Sequence, residues 1–388
     1  MKTLSYATLL VGLTVVLTTT SWAHDPVTRA RTPINIPDVP GYTTLKCDFH
    51  MHTVFSDGLV WPTVRAEEAW REGLDAIAIT DHLEYRPHQA DVSTNFNRSY
   101  EIAKTAGTDL DLLVVRGSEI TRQMPPGHMN AIFLTNSTDL AVPEWQDAVA
   151  AARAQGAFIF WNHPGWESQI TNSQVIWYPE HTKLLEQGML HGIEVVNTRS
   201  YYPEAHRWAI EKKLTMLSNS DIHNPLNLEY TLRDGDHRPT TFVFAKSRTL
   251  KDLKEALFAR RTAVYTGNRL IGDEEFLRPI FQGSITITKP STPFRSGQAR
   301  FAQVHNRSSL DYELQRTSEI PEVTSPARLV LPAGKTVLLQ LKAKAGTTTG
   351  NHSIKLPYKV TNLLIAPETP LSTTLNLEIT FNSTKAEK

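Results

Sequence analysis

The stretch DFHMHTVFSDG, residues 48–58, decides the interpretation of this sequence because it combines a strand pattern with residues that bind metals. In an extended strand, Asp48, His50 and His52 point to one face, and the apolar residues between them point to the other. Asp57 follows five residues after the second histidine. Neutral imidazole and carboxylate groups suit Zn, Mn and Fe ions. The stretch therefore predicts a strand with one core face and one metal-binding face.

Similar polar residues follow other strand-like runs further along the chain. They are Asp81 and His82 after AIAIT, Glu119 after LLVVRGS, His163 after FIFWN, and Asp221 and His223 after LTMLSNS, while His128 precedes AIFLT. Helical segments at 62–72, 143–155, 203–213 and 249–260 alternate with the runs, and the first three begin with proline, which helices accept at that position. Catalytic groups of α/β barrels lie at the carboxyl ends of the strands. The order therefore predicts an α/β barrel with these side chains gathered at one edge.

The motifs DFHMHTVFSDG, ITDHLE, RGSEITR with GHMN, WNHP and SNSDIH also carry a family resemblance. In this order, over residues 42–270, they resemble the motifs of the PHP (polymerase and histidinol phosphatase) phosphoesterases, particularly of exported members described as phosphodiesterases. The resemblance implies a distorted (βα)7 barrel of PHP type that holds two or three divalent metal ions, with Mn, Zn and Fe as candidates. It implies one ion at His50, His52, Glu119 and Asp221, a second at Glu119, His128 and His163, and a third at Asp57, His82 and His223.

The length of the chain and a change in its composition predict a second domain after the barrel. The chain has 388 residues, and from about residue 284 its apolar residues alternate in twos between Pro, Gly, Ser and Thr. We expect a signal peptide at 1–23, an N-terminal extension at 24–41, the barrel at 42–280, and a small antiparallel, sandwich-like β domain at 281–388. Forty basic and forty acidic residues give a net charge of zero. This balance argues against a nucleic-acid partner, because nucleic-acid binders normally carry a basic excess.

The N-terminus has the features of an export signal. Lys2 precedes an apolar stretch at 7–17, and Ser21 and Ala23 place small residues at the −3 and −1 positions of a cleavage site. The stretch is too short to span a membrane, which needs ~20 residues. We therefore expect an exported protein, periplasmic or secreted after cleavage near Ala23, with no membrane anchor. Its single cysteine, Cys47, is expected to be a buried apolar residue.

The implied centre predicts hydrolysis of a small-molecule phosphoester. Paired divalent ions lower the pKa of a bridging water and bind the non-bridging phosphate oxygens, so the resulting hydroxide is the expected nucleophile. Glu119 is expected to bridge two ions. Arg122 and Arg199, each just past a strand, are the candidate phosphate clamps because guanidinium matches phosphate in a fork. Asp48 and Asp81 are expected to orient ligand imidazoles.

The substrate class stays open in the sequence. The resemblance favours a phosphodiester, and a phosphomonoesterase that acts on small organic phosphates is the nearest alternative. A metal-dependent deacetylase or amidohydrolase would use the same hydroxide on a carbonyl group. An inactive metal-binding or polysaccharide-binding protein is the non-enzyme alternative, which the intact ligand set disfavours.

Overall fold

The first strand, β1 (Thr43–Asp48), carries the chain into the 48–58 stretch and buries Leu45 and Cys47 on its apolar face. The structure is a computed structural model that describes residues 29–170, 172, 174–290 and 292–382. The predicted signal peptide lies outside these residues. Within them, no helix is long and apolar enough to cross a membrane.

Strands and helices follow one another between Thr43 and Ser284. The strands are β1, β2 (Ala76–Ile79), β3 (Leu113–Ile120), β4 (Met129–Ile132), β5 (Phe158–Trp161), β6 (Gly192–Asn197), β7 (Ser200–Tyr201), β8 (Thr215–Asn219), β9 (Thr240–Ala245), β10 (Thr262–Thr266) and β11 (Arg269–Gly272). The helices are α1 (Pro62–Arg71), α2 (Arg98–Asp109), α3 (Trp145–Ala154), α4 (Pro179–Glu186), α5 (Pro203–Glu211), α6 (Leu226–Glu229), α7 (Leu250–Phe258) and α8 (Glu274–Ser284), with 3₁₀ helices at Ser137–Leu140 and Leu232–Asp234.

The strands form a barrel-like sheet with one reversed member on its β1–β8 path. β1, β2 and β3 are parallel neighbours, as are β5, β6 and β8, whereas β4 runs antiparallel between β3 and β5. The β3–β4 connection is short and contains no helix, and a parallel return would need a crossover of a dozen or more residues. β9 pairs antiparallel with β1. The predicted distorted α/β barrel is confirmed.

Hydrogen bonds of a side chain join β8 to β9, the strand that pairs with β1. The hydroxyl of Thr241 on β9 accepts from the backbone N–H of Ser218 on β8 and donates to the carbonyl of the same residue, both at 2.8 Å. The four helices predicted from sequence are present. The proline start is correct for α1 and α5 but wrong for α3, which begins at Trp145, two residues after Pro143.

The C-terminal region is a two-sheet β structure, as predicted. Its strands are β12 (Ile285–Thr288), β13 (Ala299–Asn306), β14 (Tyr312–Arg316), β15 (Val323–Thr324), β16 (Arg328–Leu331), β17 (Thr336–Ala343), β18 (Gly350–Ala366) and β19 (Thr369–Phe381). β12, β13, β17 and β15 form one sheet. β18 pairs with β14 and β19 and also, in parallel, with β11 of the barrel. The barrel sheet and one face of the C-terminal region are therefore continuous.

Candidate metal centre

The strand ends bring together all nine residues predicted to bind metal. His50 and His52 follow β1, and Asp57 lies in the next loop. The other six lie at the ends of five further strands: His82 after β2, Glu119 near the end of β3, His128 just before β4, His163 after β5, and Asp221 and His223 after β8. Because β4 is reversed, its start lies at the same edge as the ends of its parallel neighbours.

Four donor atoms meet most closely beside the carboxylate of Glu119. Its Oε2 lies 3.0 Å from Nε2 of His50 and 3.2 Å from Nε2 of His52. Oδ1 of Asp221 lies 3.1 Å and 3.0 Å from the same two nitrogen atoms. Such spacings match neighbouring ligands of one ion at metal–ligand distances of about 2.0–2.2 Å. This group is the first ligand set that the resemblance implies.

The other oxygen of Glu119 faces a second group of imidazoles. Its Oε1 lies 2.7 Å from Nδ1 of His128 and 3.8 Å from Nε2 of His163. By donor spacing, His82, Glu119 and His128 form a candidate set, so His82 approaches this group more closely than the resemblance implies. Nδ1 of His82 is 3.4 Å from Oε2 of Glu119. The two oxygens of one buried carboxylate thus serve different imidazoles.

A third group surrounds Asp57. Its Oδ1 lies 3.3 Å from Nε2 of His223, 3.5 Å from Nε2 of His82 and 3.7 Å from Nδ1 of His52. The ring of His52 stacks between the other two, with centroid distances of 4.2 Å to His223 and 4.4 Å to His82. His52 therefore borders both the first and the third group.

Buried atoms without hydrogen-bond partners show that the centre suits a cation. Nε2 of His52, Oδ1 of Asp57 and Nδ1 of His163 are buried and make no aligned hydrogen bond in the described structure. An unsatisfied buried polar atom is costly, whereas a bound cation would satisfy imidazole and carboxylate together. Burial raises the pKa of Glu119, but the imidazoles of His82, His50 and His128 outweigh burial and hold that pKa well below its usual range. The residues present fit divalent metal ions.

Glu194, on β6, is a site residue that the sequence analysis missed. Its carboxylate is fully buried and accepts from Nδ1 of His50 at 2.9 Å and from the backbone N–H of His163 at 2.7 Å. The side-chain amides of Asn197 and Asn219 donate to it at 2.8 and 2.9 Å. A hydrogen bond at Nδ1 leaves Nε2 of His50 free to bind a metal ion. The sequence signal was a glutamate inside the apolar run GIEVVN.

The prediction that Asp48 and Asp81 orient imidazoles is wrong for Asp48, whereas Asp81 reaches His52 only through the hydroxyl of Ser56, which donates to Asp81 at 2.8 Å and lies 3.4 Å from Nδ1 of His52. Asp48 accepts from the N–H and hydroxyl of Ser220 at 3.1 and 2.5 Å and pairs with Arg238 at 3.1 Å. Asp81 accepts from the N–H and hydroxyl of Thr53 at 2.7 and 2.9 Å. Both carboxylates therefore hold the backbone next to ligand residues, because the alternation of a strand does not define where the chain turns beyond it.

Backbone geometry also fixes the ligand loops. His163 and Asp221 adopt left-handed φ angles of 27° and 52°, which are uncommon for residues other than glycine. Such conformations cluster at functional sites. A Cβ atom at Gly58 would lie 2.6 Å from the carbonyl carbon of His52, so the loop after β1 closes against its own start only with glycine there.

The structure gives both predicted phosphate-clamp arginines partners within the chain. Arg122 pairs with Glu84 and donates to the carbonyl of Val142 at 3.1 Å. Arg199 forms a two-pronged pair with Asp236, at 2.6 and 3.0 Å. Arg122 also borders a cavity of about 570 Å³ that contains His128, whereas Arg199 lies in a different depression. Their roles toward phosphate stay predictions.

The C-terminal region of this chain resembles a known domain family. Residues 285–376 match a family described as an Ig-like domain. No curated protein matches the chain. Two solved structures share little sequence with it: a candidate metal-dependent phosphoesterase from Bifidobacterium adolescentis, 19% identical with a TM-score of 0.36, and an amidohydrolase from Chromobacterium violaceum, 16% identical with a TM-score of 0.35. Each match covers 46% of this chain, and 87% and 88% of the respective structures.

A third solved structure is much more similar. It is a two-domain protein from Bacteroides vulgatus that contains a predicted PHP-like metal-dependent phosphoesterase. It is 44% identical to this chain, with a TM-score of 0.85, and the match covers 90% of this chain and 100% of that one. Similarity of this extent includes both the barrel and the C-terminal β region. The chain therefore belongs to the family of PHP-like metal-dependent phosphoesterases.

Proposed function

We propose that this protein hydrolyses small-molecule phosphodiesters at a centre of two or three divalent metal ions. The observation that carries the proposal is the divided carboxylate of Glu119, whose Oε2 faces His50 and His52 and whose Oε1 faces His128. A carboxylate that serves two groups of imidazoles can hold two ions at a fixed spacing. Mn, Zn and Fe all accept this set of nitrogen and oxygen ligands.

Bound divalent ions supply an activated water molecule and neutralise the charge that develops on phosphate. The chain's own residues prepare the place for this chemistry. Glu194 holds His50 with Nε2 directed at Glu119 and Asp221. Burial lowers the pKa of His128 more than Glu119 raises it, which favours the neutral imidazole that a metal ion binds.

The charge around the centre favours a diester over a monoester. Among the described residues, no lysine or arginine forms an ion pair with the side chains of the nine candidate ligands. A monoester is a dianion near neutral pH and would gain from additional cations, whereas a diester carries one negative charge. The zero net charge of the chain further supports a small-molecule substrate over a nucleic acid.

Export and domain organisation complete the proposal. Residues 1–23 are a signal peptide, and the mature protein, periplasmic or secreted, begins near His24. Catalysis is assigned to residues 42–280 and the β domain to residues 281–388, in which the described strands run from Ile285 to Phe381. Sequencing the N-terminus of protein recovered from outside the cytoplasm tests the cleavage site directly.

Substrate class is tested on one preparation of the full mature chain. The protein is treated with a chelator and reloaded separately with Mn, Zn or Fe(II). Values of kcat/KM are then measured for bis(p-nitrophenyl) phosphate, p-nitrophenyl phosphate and p-nitrophenyl acetate. We expect the diester to be preferred, and inorganic phosphate to inhibit turnover of both phosphate esters. A monoester preference of about 10-fold or more would overturn the diester assignment, and preferential acetate hydrolysis would overturn the phosphoesterase assignment.

A further inference from the structure

Four aromatic rings contact one another in succession at the candidate centre. Tyr85 lies edge-on to His82 with a centroid distance of 6.2 Å, His82 lies 5.8 Å from His128, and His128 lies 5.5 Å from Trp166. The two inner rings are candidate metal ligands. The two outer rings do not belong to the candidate ligand sets. An aromatic side chain that is not a candidate ligand therefore lies beside each of two candidate ligands, Tyr85 beside His82 and Trp166 beside His128.

Both outer rings are exposed although they are large and apolar. Tyr85 is 55% exposed and Trp166 is 43% exposed. Trp166 is fixed by edge contacts to His128 and to His163, whose centroid is 5.2 Å away. A held but exposed aromatic ring is suited to stacking against a ligand ring, and such stacking tolerates different ring chemistries.

The cavity beside Trp166 has room for one ring-bearing group. It measures about 570 Å³, within the range of small-molecule sites. Met124 and Ile170 give it apolar surface, and Gln169 and Arg122 give it hydrogen-bonding groups. His128 lies on the same wall, so the cavity opens directly beside the proposed phosphate position.

Resting on the proposed function, we infer that the substrate is a phosphodiester with a ring on each ester arm. One ring binds on Trp166 in the cavity and the other binds on Tyr85, while the phosphate group lies between them at the metal centre. Trp166 and Tyr85 are thus residues that determine specificity. A substrate with only one ring would leave one of the two aromatic positions unused.

Binding of two diesters with equal charge tests this arrangement without relying on turnover. Diphenyl phosphate and dimethyl phosphate are compared by calorimetry on metal-loaded protein. We expect diphenyl phosphate to bind at least about 10-fold more tightly. Trp166→Ala and Tyr85→Ala should each weaken diphenyl phosphate at least about 5-fold, equivalent to ~1 kcal/mol of lost stacking, and leave dimethyl phosphate unchanged. Trp166→Phe should keep most of the affinity for diphenyl phosphate because phenylalanine also has an aromatic ring.

The matched control is Phe301→Ala, which removes an aromatic side chain that is 49% exposed on β13. It should bind both diesters like the wild type, and metal content should be equal in all variants. Equal binding of the two diesters, or wild-type binding by both the Trp166→Ala and Tyr85→Ala variants, would overturn the inference even if the enzyme cleaves aryl diesters. Ring-dependent binding without any diester cleavage would support the two aromatic positions and overturn the proposed function instead.

Discussion

Nδ1 of His50 lies 2.9 Å from Oε1 of Glu194, and both side chains are fully buried. Since the carboxylate accepts at this distance, Nδ1 carries a proton, and Nε2 is the nitrogen that is left to bind a metal ion at the candidate centre. Glu194 also accepts from the backbone N–H of His163 at 2.7 Å. One carboxylate thus fixes two candidate ligands that follow different strands, β1 and β5.

Glu194→Gln should weaken metal binding without unfolding the protein. Glutamine keeps the shape of the side chain but has one acceptor oxygen in place of two, so it cannot satisfy all four groups that donate to Glu194. We expect metal affinity to fall by about 10- to 100-fold, the usual effect of losing a residue that orients a ligand. Titration of chelator-treated protein with the metal ion measures the change.

The matched control for this variant is Glu211→Gln, at the exposed C-terminal end of α5. It should bind metal with wild-type affinity. Equal affinity of the Glu194→Gln variant and the wild type would show that Glu194 does not orient His50 for metal binding. A loss of affinity with an unchanged melting temperature of the metal-free protein would assign the effect to ligand orientation.

Arg122→Lys should reduce turnover more than Arg199→Lys. Both arginines pair with a carboxylate, Arg122 with Glu84 and Arg199 with Asp236. Only Arg122 also borders the cavity that His128 lines. Lysine keeps the charge but loses the two-pronged geometry. We expect kcat/KM to fall at least ~10-fold for Arg122→Lys, or ~1.4 kcal/mol, and to stay within about twofold for Arg199→Lys. Wild-type kinetics for both variants, at unchanged metal content, would remove the arginines from the mechanism.

The positions of the candidate ligands could be predicted from sequence because they depend on local patterns. Alternation placed His50 and His52 on one face, and the ends of apolar runs indicated which residues share an edge of the sheet. Glu194 was missed because it lies inside an apolar run, where only the contacts of the folded chain show that the carboxylate is satisfied. The partners of Arg122 and Arg199 were also unpredictable, since long side chains reach residues far away in sequence.

The C-terminal region was also predicted only in part from the sequence. The alternating pattern predicted a region of antiparallel strands with a sandwich-like arrangement. It did not predict that β18 would extend over 17 residues. It also did not predict that β18 would pair with β11, with Leu270 opposite Leu363. Pairing between segments about 90 residues apart depends on the packing of both, and this packing leaves no periodic signal in either segment.

Buried His181 predicts a specific pH dependence of stability. Its ring stacks on Trp161 at 3.7 Å, and Nε2 donates to the carbonyl of Pro126 at 2.7 Å. Burial lowers the pKa of His181 from 6.5 to about 4 in the folded protein, so the unfolded chain takes up this proton first as the pH falls. Stability from the neutral ring is therefore fully present above about pH 6.5 and is lost progressively as the pH falls toward 4.

His181→Gln removes this titration. In metal-free protein, the unfolding free energy falls between pH 6.5 and pH 4. This fall should be smaller in the variant than in the wild type, by up to ~3 kcal/mol. Urea denaturation at several pH values measures the difference. His305→Gln, on β13, is the control and should follow the wild-type curve. Parallel curves for the wild type and His181→Gln would contradict the assignment of a neutral buried imidazole.

The most direct test of a carboxylate-bridged metal centre is elemental analysis of Glu119→Ala beside the wild type. We predict two or three divalent ions per chain in the wild type, because three groups of donors converge there. Since the two oxygens of Glu119 face different imidazoles, the variant should lose more than one ion per chain and all phosphoester turnover. Glu211→Ala, which removes an exposed carboxylate, should keep the wild-type content. Full metal content in the Glu119→Ala protein would contradict the bridging role on which the account depends.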